Sequence, residues 1–201
     1  MWVAGGIDCA SYVCLHSFCS GGQKTKKKID FGCSLTFWVS WVPPDQGMIK
    51  CNFDARFLHS LSRGSGGAVF RDFWGTILHA VVFRLFYASS TLMAETIACH
   101  CAILWASHFR YDCVCFESDA KGVVDAVKDV SVCPTEITSF RFDIQMELHL
   151  FFVASLRHVR RSDNRVAHAF AMLSADRELD QCCLLIESWI LSRLRLLIVL
   201  E

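Results

Sequence analysis

From residue 49 the chain alternates, with apolar Ile49, Cys51 and Phe53 separated by polar Lys50, Asn52 and Asp54. A period of two sends successive side chains to opposite faces, so the segment predicts a strand with one buried face, closed by Asp54. Ahead of it, Trp41-Val42-Pro43-Pro44 predicts an extended lead-in, because proline removes a donor and restricts the residue before it. Gly64-Ser65-Gly66-Gly67 is expected to turn the chain into the apolar stretch Ala68-Val69-Phe70, and Arg71-Asp72-Phe73-Trp74-Gly75 to return it through residues 76–86. Three antiparallel strands result. Ser90 or Thr91 can cap a long apolar helix that runs through Trp105 to about Phe109. Cys113-Val114-Cys115-Phe116 is a short continuous apolar run, as in a strand covered on both faces, and it ends in Glu117-Ser118-Asp119. Helices over residues 120–130 and 135–150, parted by Pro134, a strand over 152–159 and a last helix capped by Asn164 complete the pattern. The order βββ-α-β-α-α-β-α specifies an α/β fold, a mixed five-stranded sheet with helices covering its faces.

The flanks read differently from this domain, which is assigned to residues 41–176. Residues 1–40 combine small residues, four Cys and the run Lys24-Thr25-Lys26-Lys27-Lys28, and predict a weakly ordered leader. Residues 177–201 predict an apolar tail helix. Glu187, Arg193 and Arg195 interrupt its apolar run, which is also short beside the roughly 20 residues of a membrane span, so no membrane is expected. An apolar fraction of 53% with 16 Phe is enough for a real core. Lys plus Arg and Asp plus Glu both number 20, so attraction for phosphate has to come from a local basic patch rather than net charge. The 12 Cys contain no Cys-x-x-Cys pair, and Cys99/Cys101 and Cys113/Cys115 lie in apolar stretches where Cys acts as a small hydrophobe. Asp8 breaks the first apolar stretch and no basic region precedes it. The expectation is an intracellular chain, nuclear or cytoplasmic and not secreted, with free thiols and a monomeric state.

Three carboxylates sit where folding alone would not put them. Glu95 is the only Asp, Glu, Lys or Arg between Leu92 and Ala106, while Asp54 closes the first strand just after its last buried position and Asp119 ends the buried strand. Each has a structural explanation by itself, since helix starts favour acids and strand-end acids often cap helices. In mixed or parallel sheets, however, ligand sites gather at those strand ends.

The motifs run in order along the chain: Trp-x-Pro-Pro at 41–44, Lys50-x-Asn52-x-Asp54-Ala55, Gly66-Gly67-x-x-x-Arg71-Asp72-x-x-Gly75, Ala94-Glu95-x-x-Ala98, Glu117-x-Asp119, and His158-Val159-x-Arg161-x-x-Asn164-x-x-Ala167. From Trp41 to about Ser174 the sequence resembles the ribonuclease H type-1 family, in its plant reverse-transcriptase-like branch derived from non-LTR retroelements. The resemblance implies an endonuclease that hydrolyses the RNA strand of an RNA–DNA hybrid with two Mg2+ ions, or Mn2+, held by Asp54, Glu95 and Asp119. Clustered carboxylates repel one another unless cations sit between them, and magnesium suits all-oxygen ligands.

The family's fourth carboxylate falls on His168, four residues after Asn164 and on the same helical face. His168 is therefore the expected fourth ligand and catalytic position. Imidazole adds no negative charge and suits manganese or zinc better than magnesium, so weakened or manganese-preferring hydrolysis is expected. His158 stands ten residues before His168, where the family places a proton-shuttling His, although the shortened loop also lets it simply end the strand. Asn52, Arg160, Arg161, Asn164 and Arg165 are the expected contacts to nucleic acid. The alternative is a catalytically silent, retroelement-derived nucleic-acid-binding module. A related exonuclease would carry an acid two residues after the first-strand Asp, where this chain has Arg56.

Overall fold

The structure, a computed structural model, describes residues 41–175 and 183–185. Its elements are β1 (Ile49–Leu58), β2 (Arg63–Arg71), β3 (Ile77–Leu85), α1 (Thr91–His108), β4 (Cys113–Ser118), α2 (Lys121–Lys128), α3 (Thr138–Leu148), β5 (Val153–His158), α4 (Arg165–Ala175) and β6 (Cys183–Leu185). The sheet order is β5-β4-β1-β2-β3-β6. The first three strands pair antiparallel, β4 lies parallel to β1, and β5 lies parallel to β4. All five expected strands are present. A sixth, β6, pairs antiparallel with β3 inside the segment read as a tail helix. The rest of that tail reading, and the leader reading for residues 1–40, lie outside the described residues.

The strand alternation divides the sheet into two faces. Cys51 and Phe53 of β1, Phe70, Val81 and Phe83, and Val114 and Phe116 of β4 meet the small residues Ala94, Ala98 and Ala102 of α1 in the main core. Ser90 caps α1 by accepting from the Met93 amide at 3.0 Å. The helix ends without glycine: Arg110 takes a left-handed conformation (φ 58°) and Tyr111 N–H returns to the Ala106 carbonyl at 3.1 Å, closing a Schellman-type stop. On the opposite face Val69, Ala80 and Val82 pack against Ala167 and Phe170 of α4. Trp41 covers the same face further along, its ring over Lys50 and Arg71.

Two local readings are corrected. Gly64-Ser65-Gly66-Gly67 is not a turn but the body of β2, and the reversal is made by residues 59–62 after β1, which continues four residues past Asp54. The glycines answer to neighbours distant in sequence. A Cβ on Gly67 would stand 2.6 Å from the Ala171 amide nitrogen and from Phe170 Cβ, and one on Gly66 would enter the Phe83 ring. Ser65 Oγ donates to the Ala171 carbonyl at 2.6 Å, so α4 lies directly on the β2 backbone. The second turn is where the sequence puts it: Asp72 accepts from Trp74 and Thr76 amides, and Gly75 takes the left-handed conformation (φ 82°).

Among the described residues no helix is long and apolar enough to cross a membrane. Cys51, Cys99, Cys101, Cys113, Cys115 and Cys133 are free thiols.

Candidate functional site

The parallel β1–β4 ladder ends at the pair Asn52 and Glu117, and two residues further along lie acids, Asp54 within β1 and Asp119 just past the end of β4. Glu95 comes from the first turns of α1, which packs against β1. The three acids feel one another. Burial pushes the Asp54 carboxyl up from its ordinary value, and the charge of Asp119 adds to the effect. Glu95 is pushed up to about 9, first by burial and then by the charges of Asp54 and Asp119, and its acid form is further favoured by a hydrogen bond with Asp54. Glu95 Oε2 is buried with no partner. Two carboxyls raised first by burial and then by neighbouring charge, beside Asp119 and with an orphaned buried oxygen, fit a hard cation in donor chemistry and charge.

Its spacing is set by α4. His168 Nδ1 lies 2.6 Å from Asp54 Oδ2, and Arg161 Nη2 lies 3.3 Å from His168 Nε2. Guanidinium nitrogens only donate, so Nε2 accepts and the proton on Nδ1 is donated to Asp54. Both ring nitrogens are thereby engaged. Asn164 Nδ2 donates to the Phe53 carbonyl at 2.9 Å and to Asp119 Oδ1 at 2.7 Å. Among the described residues, no three or more His, Cys, Asp and Glu side chains converge closely enough to hold a metal ion as they stand. A cation approaching Asp54 Oδ2 meets the His168 ring already bonded there.

Asp54, Glu95, Asp119, Asn164 and His168 are therefore together, with Arg161 behind His168. Asp119 does not cap α2; Ser118 Oγ accepts from the Ala120 amide instead, leaving the Asp119 carboxylate to Asn164. Two expected nucleic-acid contacts are corrected. Asn52 is wholly buried, its Oδ1 taken by Trp41 Nε1 at 3.1 Å and its Nδ2 by Glu117 at 3.2 Å, because the lead-in segment folds back over the strand's polar face. Asn164 is buried too. Its Nδ2 joins β1 to Asp119 while its Oδ1 has no partner, so neither a nucleic-acid contact nor a side-chain helix cap is formed. Arg160, Arg161 and Arg165 are exposed around the start of α4. His158 is the exposed last residue of β5, in register with Ser118 and so beside the strand end that carries Asp119.

Lys50 and Glu117 stand in the motifs but carried no role in the sequence reading. The structure pairs them at 2.7 Å, both buried. The available signal was a Lys on a strand between two apolar positions, since a buried Lys requires a partner.

The sequence profile described as reverse transcriptase-like matches residues 52–174, more than half of the chain. Comparison with curated proteins finds none that matches. Among solved structures, RNase H1 from the halophilic archaeon Halobacterium salinarum NRC-1 superposes with a TM-score of 0.59 at 22% identity, covering 64% of this chain and 98% of that one. An RNase H1 isolated from compost by a metagenomic approach gives 0.58 at 18% identity, covering 66% and 100%. The protease-reverse transcriptase of prototype foamy virus gives 0.51 at 15% identity, covering 70% of this chain but 23% of that larger one. At these identities the likeness establishes the RNase H-like fold. The compost enzyme has also been solved in complex with an RNA/DNA hybrid.

Proposed function

The chain belongs to the reverse transcriptase-like family, with an RNase H-like domain, and on that premise we propose that it binds nucleic acid and cleaves the RNA strand of an RNA–DNA hybrid. The observation that carries the reading is the meeting of Asp54, Glu95 and Asp119, with Glu95 raised to about 9 by burial and by its two neighbours. Asp54, Glu95 and Asp119 would hold Mg2+ or Mn2+. Such ions, when bound, supply an activated water and stabilise the charge on the leaving oxygen.

The chain's own residues supply position and charge. Asn164 fixes the Asp119 carboxylate against the β1 backbone, so the two strand-end acids keep one relative placement. His168 orients Asp54 through the proton on Nδ1 and is itself oriented by Arg161. It is a positioning residue as it stands, and becomes a ligand only by giving up one of these two contacts. Arg160 and Arg165 offer exposed guanidinium groups to backbone phosphates, which set register without reading sequence. His158, exposed beside the Asp119 end of β4, is assigned proton transfer with the departing product. Discrimination of RNA from DNA then rests on hybrid shape and the 2′-hydroxyl.

A second reading, a silent binding module, is favoured by one observation: His168 already occupies Asp54 Oδ2. The two are separated by cleavage of an RNA–DNA hybrid in Mg2+ and in Mn2+, for the native chain and for His168→Asp. The nuclease reading expects cleavage by the native chain in Mn2+ and faster cleavage by the variant in Mg2+. No cleavage by either protein in either ion sinks it.

A further inference from the structure

Lys50, Asn52, Arg71 and Glu117 are buried polar residues that the proposed chemistry does not use. They form one network beneath Trp41. Glu117 Oε1 lies 2.7 Å from Lys50 Nζ, and Glu117 Oε2 accepts from Asn52 Nδ2 at 3.2 Å. Lys50 also donates to the Val42 carbonyl at 2.6 Å, and Trp41 Nε1 donates to Asn52 Oδ1 at 3.1 Å. The Arg71 guanidinium, paired in register with Lys50, sits 4.8 Å from the Trp41 ring centre. Every polar atom of the Asn52 amide is thus aimed within the network.

Its place along the strands gives it a consequence. Asn52 and Glu117 are the last registered pair of the β1–β4 ladder, and two residues further along the chain stand Asp54, buried within β1, and Asp119, just past the end of β4. Two carboxylates at the open end of a parallel pair repel, and that repulsion acts to spread the strands where backbone pairing has stopped. A charge-assisted bond in a buried setting is among the stronger ties available there. Further out, Asn164 bridges the Phe53 carbonyl and Asp119.

We propose that Glu117 is a positioning residue that ties β1 to β4 through Asn52 and Lys50 and so holds Asp54 and Asp119 at one separation. The use of that separation, cation binding, rests on the proposed function; the tie itself does not. Removing one partner alone would leave a buried charge unpaired and confuse position with stability. The informative variants are Lys50→Met/Glu117→Gln, which removes both charges but keeps an acceptor for Asn52, and Lys50→Met/Glu117→Met, which removes both charges and the acceptor.

The first measurement is amide hydrogen exchange of the metal-free full chain. Residues 52–54 and 117–119 are expected to exchange about tenfold faster in Lys50→Met/Glu117→Met and near the native rate in Lys50→Met/Glu117→Gln, with β2 and β3 unchanged. Unchanged exchange at the strand ends, or an equal rise over the whole sheet, overturns the proposal. The second is Mn2+ affinity by electron paramagnetic resonance. About a tenfold loss in Lys50→Met/Glu117→Met but not in Lys50→Met/Glu117→Gln supports the proposal, and native affinity despite faster local exchange overturns it. A native chain that binds no Mn2+ defeats the cation-site reading instead, and the exchange pattern then decides alone.

Discussion

Replacing Glu95 by Gln is expected to stabilise the metal-free protein, although it removes a residue of the proposed site. In the folded chain the Glu95 carboxyl is raised from an ordinary 4.5 to about 9, chiefly by burial and then by Asp54 and Asp119. The folded state therefore holds a proton that the unfolded state releases above about pH 4.5. Stability falls as pH rises through that window and levels off above about 9. At pH 7 the accumulated penalty is the distance from 4.5 to 7, about 3 kcal/mol at roughly 1.4 kcal/mol per unit, and partial solvent access to the site makes this a ceiling. The amide of Gln is neutral at every pH and can still donate to Asp54. Urea unfolding of the native chain and of Glu95→Gln, both with chelator, is expected to show the variant ahead by up to about 3 kcal/mol at pH 7 and level at pH 4. Added Mn2+ should reverse the order at pH 7, because a ligand that binds only the folded state stabilises it by mass action and the native site holds the ion better. A variant no more stable than the native chain at pH 7, or an advantage that does not change with pH, would refute the reasoning.

Other consequences are simpler to state. Gly67→Ala puts a methyl 2.6 Å from the Ala171 nitrogen and Phe170 Cβ, and overpacking of this kind is expected to lower stability by about 1–3 kcal/mol in urea unfolding. A loss below about 0.5 kcal/mol would mean that α4 does not lie on β2 as described. Arg160→Gln and Arg165→Gln are each expected to weaken hybrid binding evenly across sequences and to lower the slope of log affinity against log salt by about 1. An unchanged salt slope removes that residue from the phosphate contacts. Asn164→Leu leaves the Asp119 carboxylate and the Phe53 carbonyl without their shared donor, and should cost about 1–3 kcal/mol of stability by thermal or urea unfolding. A neutral result would contradict its bridging role.

The alternation through Phe53 and the continuous run ending at Phe116 were readable because each strand's burial is written in its own period, and their ends carry Asp54 and Asp119. Glu95 was readable as the one charge in an apolar helix. What escaped depends on partners far along the chain. Gly66 and Gly67 look like a turn until the Phe83 ring is set against the first and α4, about a hundred residues later, is laid on the second. Asn52 looks like a surface amide until Trp41 and Glu117 close over it. Asn164 looks like a helix cap, and its amide instead joins two strands. Cys183–Leu185 show no strand period of their own, since three apolar residues suit a helix as well, and their pairing with β3 is set by that strand's free edge.

The central claim is that Asp54, Glu95 and Asp119 form a cation site. It is tested most directly by anomalous diffraction from crystals of the full chain soaked in Mn2+. The account predicts an anomalous peak bounded by the three carboxylates, with the His168 ring turned away from Asp54 Oδ2. Manganese bound elsewhere with none at these acids, and the bond between His168 and Asp54 intact, would contradict it.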